Sequence, residues 1–441
     1  MSNPTSRQLH FNVFLFNTGH HEASWRTASA RPADRLNIAA VAEIAQIAEQ
    51  GLLDAVFAAD FQGGRASWLE PFTLLSALAV KTRHIGLIAT VDTTYNEPYH
   101  LARKFASLDH ISKGRAGWNI ITGAGNGSHN YSNRVHPSHA TRYKIADEFV
   151  DVVTKLWDSW EDSALNYDKA RGTRYDDAKI HEINHIGKRF SVKGPLSIAR
   201  PPQGRPLLVQ SGSSEDGREQ AAKWGELIFT AQGSLAEAQA FYRDVKARAP
   251  RYGRNPDDIR IAPGLCFVLG GSDREARERE EELFSFIDKD RAIANLSDRF
   301  GLDLTRHPLD APLNLDNARP AVEVDGVRSR HQLIVDLVLR EKLSLRQLIG
   351  RLAQGRGHYS FVGTPVQLAD LAQQWFENGA ADGFNLMPAV FNRDLELFVD
   401  HVVPILQKRG LFRTRYEATT LRGHLGLGPV PNRYAATGLP A

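Results

Sequence analysis

HIGLIATVDTTYNEPYHLARKFASLDHISKGRAGWNII, residues 84–121, reads as one complete strand–helix–strand unit. Residues 84–91 form an apolar, β-rich run that ends in the polar groups Asp92, Thr93, Thr94, Tyr95 and Asn96. Pro98 suits the first turn of a helix, where its missing N–H has no partner to lose. Behind it Leu101, Phe105 and Leu108 fall on one helical face. Residues 115–121 make a second apolar run, closed by Thr122 and Gly123. Two such runs joined by a crossover helix predict a parallel pair of strands.

The same unit repeats in both directions. Upstream, residues 11–16 read as a strand ending at Asn17, Thr18, Gly19, His20 and His21. Val41, Ile44, Ala45 and Ala48 mark a helix, which Gly51 is expected to stop as a left-handed residue. Residues 54–59 form a strand ending at Asp60, followed by a helix carrying Leu74, Leu75 and Leu78. Downstream, Ile145, Phe149, Val152, Val153, Leu156 and Trp160 line one face of a long amphipathic helix. Residues 206–210, 226–230, 259–268 and 382–386 supply four more strands. Eight strands alternating with helices predict an α/β fold, a (β/α)8 TIM barrel, with an open doubly wound sheet as the rival. The chain, 1–441, reads as one such domain. Insertions at about 161–205 and 284–355 are expected over the barrel mouth, and a tail from about 411 is expected to wrap the surface.

Composition excludes several classes of function. The 441 residues carry 54 Lys+Arg against 51 Asp+Glu, a formal charge of +3 without a basic block, which argues against a nucleic-acid partner. No apolar run reaches the ~18 residues that span a membrane, and the opening MSNPTSRQLHF has no signal-peptide core. Cys266 stands alone, which rules out an intramolecular disulfide and a multi-cysteine metal site and fits a reducing, cytoplasmic setting.

In a barrel the chemistry sits where strands end. Ser211-Gly212-Ser213-Ser214-Glu215 follows a strand and opens a helix, so its backbone N–H groups suit an anion such as a phosphate. A plain N-cap by Ser213 or Ser214 explains the same residues. His181-Glu182-Ile183-Asn184-His185 is a literal H-E-x-x-H, but Gly187 and Gly194-Pro195 and the β-branched surroundings deny it the helix that zinc binding needs, so no metal is expected there. His136 and His139 have no carboxylate cluster beside them. Asp60, Asp92, Glu97 and Asp109 offer no identifiable catalytic pair, and neither a G-x-S-x-G elbow nor a P-loop occurs.

NTGHHEASWR (17–26), residues 70–122 as a block, HATRYKIADEFVDVVTKLW (139–157), QGRPLLVQSGSSEDGRE (203–219) and residues 400–427 resemble one family. It is the flavin-dependent monooxygenases typified by nitrilotriacetate and dibenzothiophene sulfone monooxygenases, within the bacterial luciferase-like superfamily. The resemblance implies the oxygenase half of a two-component system. A separate NAD(P)H:FMN reductase supplies reduced FMN by diffusion, O2 adds at the flavin C4a carbon, and the resulting (hydro)peroxide oxidises a small sulfur- or nitrogen-containing molecule. It further implies that Asp60 contacts the flavin, that Thr94 lies against the isoalloxazine, and that His139 and Tyr143 approach the ribityl chain and phosphate. Ser214, with Ser213 beside it, matches the serine of the family's Q-A-G-A-S turn, which here reads QSGSS. His20 matches a histidine on the substrate side of the flavin, against the plainer reading of a loop residue packed on Trp25. The segment 123–132 departs from its relatives and is expected to line the substrate. A homodimer or homotetramer is usual for the family. Two other readings stay open: a deazaflavin-dependent hydride transferase of the same superfamily, and a non-catalytic flavin-binding protein.

Overall fold

The computed structural model describes residues 7–16, 18–63, 67–123, 128–132, 135–320 and 328–435. Its main sheet contains β1 (His10–Leu15), β2 (Ala55–Ala58), β3 (Gly86–Asp92), β4 (Ala116–Ile121), β5 (Leu207–Ser211), β6 (Leu227–Thr230), β7 (Arg260–Leu269), β8 (Tyr359–Gly363) and β9 (Gly383–Pro388). All neighbours are parallel. The order runs from β1 to β7, passes to β9 and returns to β1 through His10↔Gly383, a closed ring of eight. The open-sheet rival is therefore excluded.

β8 is the strand that the sequence pattern did not reveal. The first residues of β7, from Arg260 to Pro263, pair with β6, whereas Leu265 to Leu269 pair with β8. The extra strand thus takes over a stretch of β7 at the rim.

Helices α1 (Ile38–Gln50), α2 (Pro71–Ala79), α3 (Pro98–Ser112), α4 (His139–Asp158), α5 (Glu215–Trp224) and α6 (Leu235–Arg248) surround the ring. Their starts follow local chemistry. Glu70 accepts hydrogen bonds from the N–H groups of Phe72 and Thr73 ahead of Pro71, and Asn37, Ser214 and Ser234 cap their helices through side-chain oxygens. Between sheet and helices lies the principal core, which includes Trp118, Phe149 and Trp157. Because both faces of a parallel barrel strand are buried, the strands read as near-continuous apolar runs.

Both insertions carry structure of their own. The first contains two small antiparallel hairpins, Leu165–Asp168 with Thr173–Tyr175 and His185–Ile186 with Ser191–Val192. The second follows α7 (Asp273–Ser285) and contains α8 (Lys289–Phe300), α9 (Arg328–Glu341) and α10 (Leu345–Gly355), packed around Phe300, Leu304, Ile334 and Leu348.

The tail does more than wrap the surface. Leu421, Leu425 and Leu427 pack against Phe57, Ile88 and Leu207 inside the barrel, sealing the end opposite the rim. Gly86 leaves room for this plug, since a Cβ there would stand 2.4 Å from Leu421. Arg413 fastens it by donating to the buried Asp54 carboxylate and, at 2.9 Å, to the His424 carbonyl.

Candidate active site

Two groups of polar side chains stand on the rim, and a histidine lies apart from both. The first group is organised by Asp92, fully buried at the end of β3. One of its oxygens accepts from the Thr94 and Tyr95 N–H groups at 2.8 and 2.7 Å, while the other accepts from Asn96 at 3.2 Å. The Gln62 amide bridges from Asp92 to Asp60, donating to the latter at 2.9 Å. Burial raises the Asp60 carboxyl above its ordinary range; Gln62 opposes that shift and the nearby Asp92 adds to it. Thr94 donates its hydroxyl to Thr122 O at 2.8 Å, tying the end of β3 to that of β4. Asp60 and Thr94 are therefore joined through Asp92 and Gln62. Beside them opens a cavity of about 380 Å3 walled by Phe61, Trp68, Phe72 and Tyr131.

The second group forms where α4 and α5 begin. His139 and Tyr143, one helical turn apart on α4, have ring centroids 4.9 Å apart. His139 Nδ1 stands 3.1 Å from Asp216 Oδ2, with both side chains about half exposed. Ser214 caps α5 by accepting from Gly217 N–H and stands beside the Tyr143 phenol. Burial raises the Tyr143 phenol, so it stays a neutral donor. Gly212 makes the seat between them. Its φ of +149° disfavours other residues, and a Cβ there would lie 3.1 Å from Gln210 Nε2 and 3.5 Å from Tyr143 Oη. The fold thus assembles His139, Tyr143 and Ser214. Ser213 turns elsewhere, its hydroxyl 2.9 Å from Thr230 Oγ1 at the end of β6.

His20 is enclosed just beyond the end of β1. Gly19 brings the chain so close to β9 that a Cβ would stand 2.1 Å from Ala389 O, which only glycine permits. The imidazole packs among Phe14, Phe16 and Phe391, not on Trp25, which is 57% exposed. Burial lowers its pKa to about 3; Arg356 pushes the same way, and the hydrogen bond to Phe14 partly opposes them. The ring is therefore neutral. Since the Phe14 carbonyl only accepts, Nε2 donates to it at 2.7 Å. That leaves Nδ1, buried and without a partner among the described residues, as a lone-pair acceptor.

The literal H-E-x-x-H does not gather into one site. His181 pairs with Glu161 at 2.8 Å and stacks on Tyr434, whereas His185 lies 3.4 Å from Glu148 and 3.2 Å from Lys155. Of segment 123–132, residues 124–127 lie outside the described residues, while Tyr131 stacks on Tyr95 with centroids 4.5 Å apart.

Gln62, Asp92 and Arg142 are the rim residues that sequence reading did not single out for a role. Asp92 carried a signal, an acid followed by Thr-Thr-Tyr-Asn that favours side-chain-to-backbone turns. Gln62 carried none, because its partners come from two different loops.

The sequence profile of the family described as luciferase-like monooxygenase matches residues 11–336. N-acetyl-S-(2-succino)cysteine monooxygenase of Bacillus subtilis (strain 168) is 45% identical over 97% of this chain and 99% of its own. Nitrilotriacetate monooxygenase component A of Aminobacter aminovorans is 45% identical over 98% and 99%. A solved riboflavin lyase, crystallised with modified FMN and riboflavin, superposes with a TM-score of 0.82 at 31% identity, covering 96% of each chain.

Proposed function

The chain belongs to the luciferase-like monooxygenase family, and on that premise we propose that this enzyme is the FMNH2-dependent oxygenase of a two-component system. Its substrate on this reading is a small organic molecule containing sulfur or nitrogen, as in the names of both relatives. The observation that carries the cofactor is the bare Gly212 seat ringed by Tyr143, Ser214 and the start of α5, which suits a phosphate. Reduced FMN supplies the activation of dioxygen.

The residues of the chain bind, orient and shield. Ser214, Tyr143 and His139 hold the phosphate end, with Ser213 fixing the turn against β6. Asp60 and Thr94 meet the ring, held in place by Asp92 and Gln62. His20 offers its neutral Nδ1 as a hydrogen-bond acceptor on the substrate side, with Phe14, Phe16 and Phe391 keeping water from it. Reduced flavin comes from a separate NAD(P)H:FMN reductase, transiently or by diffusion. The name "component A" of one relative implies a second component for that protein. The chain works as a homodimer or homotetramer in the cytoplasm, in keeping with its single, buried cysteine; among the described residues no helix is long and apolar enough to cross a membrane.

The test combines the purified chain with an unrelated flavin reductase, NADH and FMN, and measures oxygen uptake over a panel of thioethers, sulfones, aminopolycarboxylates and alkanes. Uptake that depends on reductase, FMN and one substrate class is expected. NADH turnover by the chain alone would refute the two-component reading. Hydride transfer with a deazaflavin in place of FMN would favour the sister enzymes, and flavin binding without any turnover would favour a non-catalytic protein.

A further inference from the structure

Among the described residues, Arg142 is a cation that the fold leaves unneutralised. It lies in the first turn of α4, half-buried, and its hydrogen bond runs from Nη1 to Pro137 O at 2.8 Å. Nε is buried and has no partner among the described residues. The titratable groups within its electrostatic reach are the phenols of Tyr143 and Tyr95, both neutral near pH 7, and neither is a carboxylate. A guanidinium partly removed from water without a counter-charge is costly, so its retention asks for an anion.

Its neighbours say where that anion lies. Tyr143 reaches the Gly212 seat, while Tyr95 follows Thr94 on the loop that Asp92 organises. Arg142, next to Tyr143 in the chain and within electrostatic reach of Tyr95, therefore adjoins both halves of the site. His136, whose Nδ1 is 2.6 Å from Tyr95 Oη, is held neutral by burial and supplies no positive charge of its own. The Tyr95 N–H is held by Asp92, which Gln62 joins to a second acid, Asp60. Their field opposes negative charge on a ring bound beside them, and Arg142 is placed to offset it.

Resting on the FMN reading, we propose that Arg142 makes the site select reduced over oxidised FMN, by facing the negative charge that the flavin ring carries only when reduced. The phosphate is the same in both oxidation states, so a contact to phosphate alone cannot discriminate between them. The dihydroflavin ring loses a proton near neutrality and becomes an anion, whereas the oxidised ring is uncharged. In a partly desolvated site a fixed cation distinguishes the two.

The experiment measures Kd for oxidised and, under anaerobic conditions, reduced FMN and riboflavin, in the native chain and in Arg142→Gln and Arg142→Lys. Arg142→Gln is expected to weaken both reduced flavins by roughly 10- to 100-fold, the size of a charge-assisted contact, and to leave the oxidised forms within about threefold. Arg142→Lys should retain most of the selectivity, and the midpoint potential of bound FMN should fall by about 30 mV for each tenfold lost in Arg142→Gln. Equal weakening of oxidised and reduced FMN with riboflavin spared would make Arg142 a phosphate ligand and overturn the proposal, as would unchanged affinities. A native chain that binds neither form of FMN would overturn the cofactor reading itself. Should Arg142→Gln fail to fold, selectivity lost in a folded Arg142→Lys would equally count against a role for charge.

Discussion

Replacing Gly212 with valine tests the phosphate seat most directly. The residue has φ +149°, so any side chain there is strained, by about 1–2 kcal/mol in stability. A Cβ already stands 3.1 Å from Gln210 Nε2 and 3.5 Å from Tyr143 Oη, and the two methyls of valine fill what remains of the seat. A phosphate is then kept from the backbone N–H groups and from the Tyr143 phenol, both of which would donate charge-assisted hydrogen bonds to it. Together these bonds are worth about 3 kcal/mol, or roughly 100-fold in Kd for FMN. Riboflavin has no phosphate to lose, so its Kd should move by no more than about threefold, and the native preference for FMN over riboflavin should shrink accordingly. Gly212→Ala, which requires only a small shift of the Gln210 amide, should fall between the two. Fluorescence titration of both flavins, with a thermal melt to confirm folding, measures all of these. Equal native affinity for riboflavin and FMN, or equal weakening of both by valine, would refute the seat and leave Ser214 as a plain helix cap.

Arg413→Met should destabilise the chain by about 3–5 kcal/mol, because it strands the buried Asp54 carboxylate. Burial works to raise the Asp54 pKa, but Arg413, with His10 and His424, holds it down to about 2. Native Asp54 therefore stabilises the fold above its unfolded pKa of about 4, a contribution lost as pH falls toward 2. In the variant, burial is opposed less, so the stability gap should narrow between pH 7 and pH 4 in urea titrations; a constant gap would contradict the assignment. With a pKa of about 3, His20 should add no inflection to kcat/KM between about pH 5 and 8. Below pH ~6.5 the unfolded chain binds a proton that folded His20 refuses, so native stability should fall by about 2–3 kcal/mol down to pH ~4.5 on this account. His20→Phe should lack that component, and an identical pH dependence in both proteins would rule it out. The H-E-x-x-H is expected to bind no stoichiometric zinc; elemental analysis showing one zinc per chain, with activity lost to a chelator, would reverse this.

The barrel was legible because a parallel strand buried on both faces leaves an apolar run in the sequence, with polar residues where it ends. β8 was not, since Tyr359–Gly363 follows a long insertion and pairs only along a stretch of β7 that β6 does not use. Gly51 shows how a local rule is overridden from a distance. Its φ is −73° and Leu52 takes the left-handed conformation, while a Cβ on Gly51 would meet Val399 at 2.6 Å. The glycine answers to packing, not to the turn. In the site, the His139–Tyr143 pairing is written in its four-residue spacing. The bridge from Asp60 to Asp92 through Gln62, and the lack of a carboxylate partner for Arg142 among the described residues, are tertiary facts that no single segment encodes. The surroundings of His20 lie between these cases: Phe14 and Phe16 are near neighbours in sequence, but Phe391 arrives from beyond β9.

The plug of Leu421, Leu425 and Leu427 also imposes an order of events on the growing chain. It follows every strand of the ring in sequence, and the ring itself closes only when β9 reaches β1. During synthesis the first strands therefore wait, with the apolar floor of the future barrel facing water, for the segment that will cover it. Contacts so distant along the chain are slow to form, and apolar surface exposed meanwhile invites association with other chains. A ribosome that stops before residue 411 would release a chain with all its strands and no floor. Tags and fusions are accordingly better placed beyond the plug than in exchange for it.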